Sequence, residues 1–321
     1  MPDNIVSVVF TSDDVTAIPM GVAIASILKT RALETTLDFH VFSCGITRAS
    51  RSKIEEIFQG LKINTATLSW HDITRENSLL LEKFFIKSDR PYPPASYARL
   101  LVGDILPQSV RKVIYLDVDM TVLTDLRPLW DYDMKGKALL AVLDLPHDRG
   151  RIERLINTLD PQERKKYAVD RTPGYFQSGM LVIDIDAFRG NFLKDISALL
   201  LKYPQLRFPD QDALNIMFAT SCILIDPRWN SVSAVYWYKD PAESPYATDV
   251  LTELQERPFI IHFSGRPKPW ETGCTHPLMR HWLAASDAVP WAQHQMSAAQ
   301  RVGKYARRVY RVLFKKVRRL F

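Results

Sequence analysis

Hydrophobic and polar positions alternate in blocks along the first third of the chain. NIVSVVFTSDD is an apolar run that stops at a serine and two aspartates, the pattern of a buried strand and its loop. PMGVAIASILKTR then shifts to helical spacing. LDFHVFSCGIT predicts a second strand. TRASRSKIEEIFQ predicts a helix with Thr47 or Ser50 as its cap, and INTATLSW a third strand. This alternation predicts an α/β fold with a mixed, mostly parallel sheet. Further strands are expected in RKVIYLDVD, KALLAVLDL, GMLVIDI, CILIDP and PFIIHFSG. The prolines of SDRPYPPASYARLLVGDIL predict a loop before a helix starting near Ser96. PDQDALNIMFA predicts a short helix with Asp210 as an N-cap candidate. The polar segment from about Lys239 to Glu256, with two prolines, is expected to be irregular or surface-exposed.

One strand ends unusually. In VIYLDVDM an apolar run meets Asp117 and Asp119, one residue apart. If extended geometry continues, residues i and i+2 share a side and the two carboxylates converge. Two buried like charges need a counter-charge. A divalent cation supplies one, and hard oxygen donors suit Mg²⁺ or Mn²⁺. The alternative at this point is a pair of loop aspartates capping backbone N–H groups.

Composition narrows the classes. The chain has 321 residues, 46% hydrophobic and 24% charged, enough for a substantial globular core. No apolar stretch reaches membrane-span length, and the N-terminal residues carry no secretory pattern, so none is expected. Cys44, Cys222 and Cys274 form no CxxC pair, which fits a reducing compartment and not a disulfide scaffold. The charge is polarised. RVGKYARRVYRVLFKKVRRLF, Arg301 to Phe321, holds nine Lys or Arg and no acid; removing those nine from the net +6 leaves the first 300 residues at −3. Val302, Tyr305, Val309, Leu313, Val317 and Leu320 recur at helical spacing in this tail. A basic helix with one apolar face suits an anionic membrane surface. A tail docked on the body and a nucleic-acid arm are the alternatives, and no nucleic-acid partner is expected.

Motif absences exclude other chemistries. The chain lacks GxGxxG after its first strand, a P-loop, a GxSxG elbow and HExxH. IIHFSGRPKPW instead places His262, Gly265 and Lys268 close together. The histidine offers a third ligand, and the glycine turn with its lysine suits a diphosphate. Taken alone, His262 reads first as a satisfied core or loop histidine, and Arg266 equally as a solvated loop charge.

The ordered series VVFTSDD, SYARLLVGDILP, KVIYLDVDM, YFQSGMLVIDI, PDQDALNIMF and IIHFSGRPKPW resembles glycosyltransferase family 8, especially bacterial lipopolysaccharide galactosyl- and glucosyltransferases, over about residues 5 to 275. The resemblance implies a single nucleotide-sugar transferase domain of the glycosyltransferase A type over 1–276. It also implies a C-terminal helical extension, here 277–321, whose basic end is expected to place the protein at the inner face of the cytoplasmic membrane. It implies a retaining, metal-dependent transfer of galactose or glucose from a UDP-sugar to a saccharide, with UDP-sugar hydrolysis or an inactive binding protein as alternatives. By resemblance, Asp117, Asp119 and His262 hold Mn²⁺, or Mg²⁺. The Val118 backbone contacts ribose, Thr11, Ser12 and Asp13 hold uridine, and Arg99 approaches the donor. Gly265 and Lys268 hold the diphosphate, Lys268 offsetting charge on the leaving group. Asp144, Gln177, Asp210 and Gln211 surround the transferred sugar, with Gln211 facing its far side. The Asp210-Gln211-Asp212 group leaves a double-displacement route open beside a front-face one. Two positions depart from the pattern. Val15 and Thr16 stand where an Asn and a uracil-stacking aromatic often follow the DD pair, and FQSG replaces an FNAG-like segment. Tyr236, Trp237 and Tyr238 are candidates for an acceptor wall, or for ordinary packing.

Overall fold

Strand β1 (Ile5–Ser12) is buried along nearly its whole length, as a continuous apolar run must be when both faces of a sheet are covered. The computed structural model describes residues 5–87, 93–145, 148–238, 240–289 and 291–292. Helix α1 (Ala17–Thr30), β2 (Thr36–Ser43), α2 (Arg48–Gly60) and β3 (Ala66–Asp72) follow in the predicted order, and α3 (Arg75–Lys87), not foreseen from the sequence, comes after them. Short helical turns over Pro94–Tyr97, Ala98–Leu101 and Val102–Ile105 precede β4 (Lys112–Leu116), and β5 (Met120–Val122) comes next. Beyond β6 (Leu139–Leu143) lie α4 (Asp148–Thr158), α5 (Pro161–Tyr167), β7 (Phe176–Asp184), α6 (Phe192–Lys202) and α7 (Pro209–Met217). After them come β8 (Cys222–Leu224), β9 (Ser231–Val232), α8 (Thr248–Glu256), β10 (Ile260–His262) and α9 (Met279–Ser286), with short helical turns between.

The main sheet has the order β3-β2-β1-β4-β7-β6-β8. β1, β2, β3 and β4 are mutually parallel, and β8 is parallel to β6. β7 runs antiparallel to both its neighbours. After β1 the chain builds outward through β2 and β3, then returns to β1's other side with β4. That reversal is a topological switch point, where the carboxyl ends of open α/β strands leave a ligand crevice. The loop after β1 carries Asp13, and the turn after β4 carries Asp117 and Asp119.

A second, three-stranded sheet, β5-β10-β9, was not foreseen from the sequence. Strands of two or three residues are too short to show a period. Its register is decisive for the site. β10 pairs antiparallel with β5 so that His262 faces Met120, and parallel with β9 so that His262 faces Val232. Met120 directly follows Asp119, so the pairing carries His262 to the acidic turn.

The two faces of the main sheet divide the core by alternation. Val8 and Phe10 pack with Ile24, Leu116 and Met180 on the α1 side. Val9 packs with Tyr115, Leu181 and Phe188 on the other. α9 belongs to the α1 side: Met279, Trp282 and Leu283 join that cluster, and Lys29 Nζ donates to the Ala284 carbonyl at 3.0 Å. The expectation of an irregular or surface-exposed 239–256 segment holds over 240–247, which carry one short turn, and is corrected over Thr248–Glu256, which form α8. Leu251 and Leu254 form the buried stripe of α8 and pack with Val235 and Leu145. Among the described residues no helix is long and apolar enough to cross a membrane. The basic apolar-faced tail, 301–321, lies outside the described residues.

Candidate active site

The Asp-Val-Asp segment does not continue β4. The strand ends at Leu116, and residues 118–119 form a turn into β5. Backbone pairing anchors the turn on both sides: Asp117 N–H donates to the Gly179 carbonyl at 2.7 Å and Phe263 N–H to the Asp119 carbonyl at 3.0 Å. The carboxylates therefore converge through a turn, and not through the i, i+2 geometry of a strand. His262 Nε2 lies 3.2 Å from Asp119 Oδ1 and 4.0 Å from Asp117 Oδ2. One donor atom from each of the three residues falls within 4.8 Å of the other two.

Cations balance this acidity. Lys268 Nζ donates to Asp119 Oδ2 and to the Phe263 carbonyl, each at 2.6 Å. Burial pushes the Asp119 carboxyl up, but His262 and Lys268 outweigh it and hold the carboxyl well below the usual carboxylate range. Arg99, expected only to approach a donor, is the hub of a buried wall. Its Nη2 donates to Asp117 Oδ1 at 2.8 Å, its Nε lies 3.2 Å from Asp210 Oδ2, and its Nη1 donates to the Ser178 carbonyl at 2.7 Å. The guanidinium also lies over the Tyr115 ring, whose hydroxyl donates to the same Asp117 oxygen at 2.9 Å. Burial lowers the pKa of Arg99, yet Asp117, Tyr115 and Asp210 together raise it. Asp210 is not the N-cap of α7. The helix is entered from Phe208, and Asp210 sits in the first turn with its carboxylate on Arg99. Burial raises its pKa despite that partner.

Next to this wall lies a second polar cluster. Gln211 Nε2 donates to Asp144 Oδ2 at 2.8 Å and to the Tyr175 hydroxyl at 3.1 Å, while Gln211 Oε1 accepts from Ser178 N–H at 2.9 Å. Arg151 of α4 pairs with Asp144. Burial raises the Asp144 pKa against the pull of Arg151. One helical turn on, Arg154 forms a bidentate pair with the fully buried Asp212 at 2.8 and 3.0 Å. Asp212 also accepts from Phe208 N–H at 3.0 Å and from the Tyr175 hydroxyl. Asp144, Gln211 and Asp212 are thus pre-set by partners that no short motif announced: Arg151, Arg154 and Tyr175.

At the β1 end, Asp13 Oδ1 accepts from the Thr16 N–H and hydroxyl at 2.9 and 2.7 Å, so Thr16 shapes the loop into α1. Ser12 is fully buried, with its hydroxyl on Asp13 O and Thr16 Oγ1. Thr11 Oγ1 contacts the Tyr115 hydroxyl at 3.1 Å, which links this loop to Asp117. Val15 is 85% exposed. Tyr236 packs against the core with its hydroxyl on the Gln255 carbonyl, Tyr238 packs against the α8 cluster, and Trp237 is 64% exposed. Gly265 lies beside Ser233, and a Cβ there would meet nothing closer than 3.8 Å. The fold itself tolerates a side chain at that position.

The site fits a hard divalent cation: two carboxylate oxygens, one imidazole nitrogen and no thiolate. The floor beneath it is shaped by Gly179. A Cβ there would stand 2.6 Å from His262 Cε1, 2.7 Å from Asp117 Oδ2 and 2.9 Å from Gln177 Oε1. Gly179→Ala is therefore expected to weaken binding of a divalent cation, with Mn²⁺ as the calorimetric probe on the full chain, by about tenfold to a hundredfold. Mn²⁺ affinity equal to wild type would show that the three groups can part without loss.

Comparison with known proteins agrees with this geometry. Residues 7–274 match the glycosyl transferase family 8 description. General stress protein A of Bacillus subtilis is 26% identical over 294 residues, 90% of this chain and 96% of that protein. Lipopolysaccharide 1,3-galactosyltransferase of Salmonella typhimurium is 25% identical over 280 residues, 85% of this chain and 75% of the relative. The crystal structure of galactosyltransferase LgtC in complex with donor and acceptor sugar analogs superposes with a TM-score of 0.68 at 25% identity, covering 88% of this chain and 95% of that one. With its motifs in order and its acidic turn, histidine and lysine assembled at the switch point, the chain belongs to glycosyl transferase family 8.

Proposed function

We propose that the protein transfers a hexose, galactose or glucose, from a UDP-sugar to a lipopolysaccharide or related saccharide acceptor, with retention at the anomeric carbon. The observation that carries this reading is the convergence of Asp117, Asp119, His262 and Lys268 at the switch point. Relatives named as lipopolysaccharide galactosyl- and glucosyltransferases support the substrate classes.

Asp117, Asp119 and His262 would hold Mn²⁺ or Mg²⁺, which as a Lewis acid favours departure of the diphosphate. Lys268, already 2.6 Å from Asp119, places a positive charge where the leaving group gathers negative charge. Gly265 leaves room for a phosphate to approach the backbone. Asp13 stands at the uridine end, on a loop set from beneath by the buried Thr11 and Ser12, with the Val118 backbone toward ribose. The exposure of Val15 leaves base stacking to another group. Asp144, Asp210 and Gln211 line the hexose side, with Arg99 fixing Asp210 and Asp117. The amide of Gln211 is spent on Asp144, Tyr175 and Ser178. Arg154 and Tyr175 tie down Asp212. A neutral amide and a bidentately held carboxylate are poor nucleophiles. This favours a front-face route in which a donor phosphate oxygen takes the acceptor proton. Trp237 is an exposed ring suited to stacking on an acceptor saccharide.

The test is incubation with Mn²⁺ and a panel of UDP-sugars, with and without truncated lipopolysaccharide. UDP release and glycan mass are both measured. Mass gain that requires acceptor supports transfer. UDP release with no glycan product would reassign the protein as a hydrolase.

The basic tail would dock the enzyme on the anionic inner face of the cytoplasmic membrane, near a lipid-linked acceptor. Each Lys or Arg close to such a surface contributes roughly 1 kcal/mol. Removing residues 301–321 is expected to preserve turnover of a soluble acceptor and to weaken sedimentation with anionic liposomes at least tenfold. Equal sedimentation of the truncated protein would end the membrane assignment.

A further inference from the structure

The amides around His262 admit one consistent assignment, and a backbone group dictates it. Gly179 N–H lies 2.6 Å from one terminal atom of Gln177. A backbone N–H can only donate, so that atom is the Gln177 oxygen, Oε1. The same oxygen is 2.7 Å from the Asn230 amide, which must therefore present its NH₂. The Asn230 oxygen then faces His262 Nδ1, 3.0 Å away, and that nitrogen must carry a proton. Asn230 and His262 are each 2% exposed, so water offers little alternative to this arrangement. The ring's other nitrogen, Nε2, is the one that faces Asp119 and Asp117.

We propose that Gln177 and Asn230 are positioning residues: a hydrogen-bond relay anchored on Gly179 N–H holds the His262 proton on Nδ1 and turns Nε2 toward the two aspartates. Gln177 was expected beside the transferred sugar, and it stands where the related FNAG-like segment carries an Asn. The additional methylene lets its amide span Gly179 N–H and Asn230 together. Histidines that ligate metals commonly have the second ring nitrogen fixed in this way. The relay's value to a cation rests on the proposed metal role of His262; the relay itself rests on the hydrogen bonds.

Two-bond ¹H–¹⁵N correlation spectra of ¹⁵N-histidine-labelled full-length protein, metal-free and mildly alkaline, report which nitrogen of His262 is protonated. The expected result is a proton on Nδ1, retained in Gln177→Glu, which keeps an acceptor oxygen. In Gln177→Met the Asn230 amide is free to turn, so the Nδ1 signature is expected to be lost or averaged. Titration with Mn²⁺ alone should then show affinity reduced about tenfold to a hundredfold. A wild-type ring protonated on Nε2 alone overturns the proposal, as does a Gln177→Met protein that keeps both the Nδ1 proton and wild-type Mn²⁺ affinity. The wild-type spectrum decides the matter even where the methionine variant folds poorly. An Nδ1 proton in a wild type that binds no Mn²⁺ supports the relay and instead removes the metal role of His262.

Discussion

Asp119→Ala is expected to lower sugar transfer about a thousandfold or more while the fold survives. The carboxylate touches Lys268, the cation for the leaving diphosphate, on Oδ2, and His262, its fellow metal ligand, on Oδ1. Losing one of three ligands removes several kcal/mol of charge stabilisation from the departing diphosphate, and about 4 kcal/mol is a thousandfold in rate. The folding cost is smaller, about 1.5–3 kcal/mol, the range for a hydrogen bond to a charged group. Lys268 keeps the Phe263 carbonyl at 2.6 Å, so its ammonium is not stranded. Initial rates at saturating UDP-sugar and acceptor, with thermal melts on the same samples, separate the two effects. Transfer within tenfold of wild type in a folded variant would remove Asp119 from the reaction.

The first three strands and their helices were legible because each is a long run with a clear period, and β1, β2 and β3 form one parallel block. The Asp-x-Asp pair was legible as a carboxylate interruption at the end of an apolar run. Its geometry was not, because a turn replaces the assumed strand and the third ligand arrives through the short β10. Lys268 and Asp119 are 149 residues apart, and Arg99 and Ser178 are 79 apart. Contacts at such separations follow from sheet order and leave no local spacing to read. Asn230, Tyr175, Arg151 and Arg154 were missed for the same reason: each looks like an ordinary core or surface residue in its own segment. Gly179 could have been suspected, since a glycine inside an apolar strand often marks a close approach. What it approaches, His262 and Asp117, needed the fold. Asp210 shows the opposite error. Its type and position suggested a cap, but a buried arginine 111 residues earlier in the chain claims its side chain.

Replacing that arginine is expected to give the largest loss of stability. In Arg99→Met the volume of the aliphatic stem is mostly kept, but Asp117 and Asp210 lose their shared cation, and the Ser178 and Ser96 carbonyls lose a donor. Removing one partner of a buried ion pair costs about 3–5 kcal/mol because the other charge is left uncompensated. At roughly 2 °C per kcal/mol for a chain of this size, the melting temperature should fall by about 6–10 °C. The loss should also depend on pH in a defined direction. Burial already raises the Asp210 pKa, and without Arg99 that rise has less to oppose it. A carboxyl whose folded pKa exceeds its unfolded value holds more protons when folded, so stability falls as pH rises through that window. The gap between variant and wild type should therefore be widest near neutrality and narrow as the pH drops toward the ordinary carboxylate range. Arg99→Lys keeps a charge but not the fork that reaches both carboxylates and Ser178 at once, so an intermediate loss is expected. Melting curves of the three proteins across that pH range provide the measurement. A methionine variant that melts within about 1 °C of wild type at neutral pH would mean that the two aspartates need no cation there, and that Arg99 serves the donor alone.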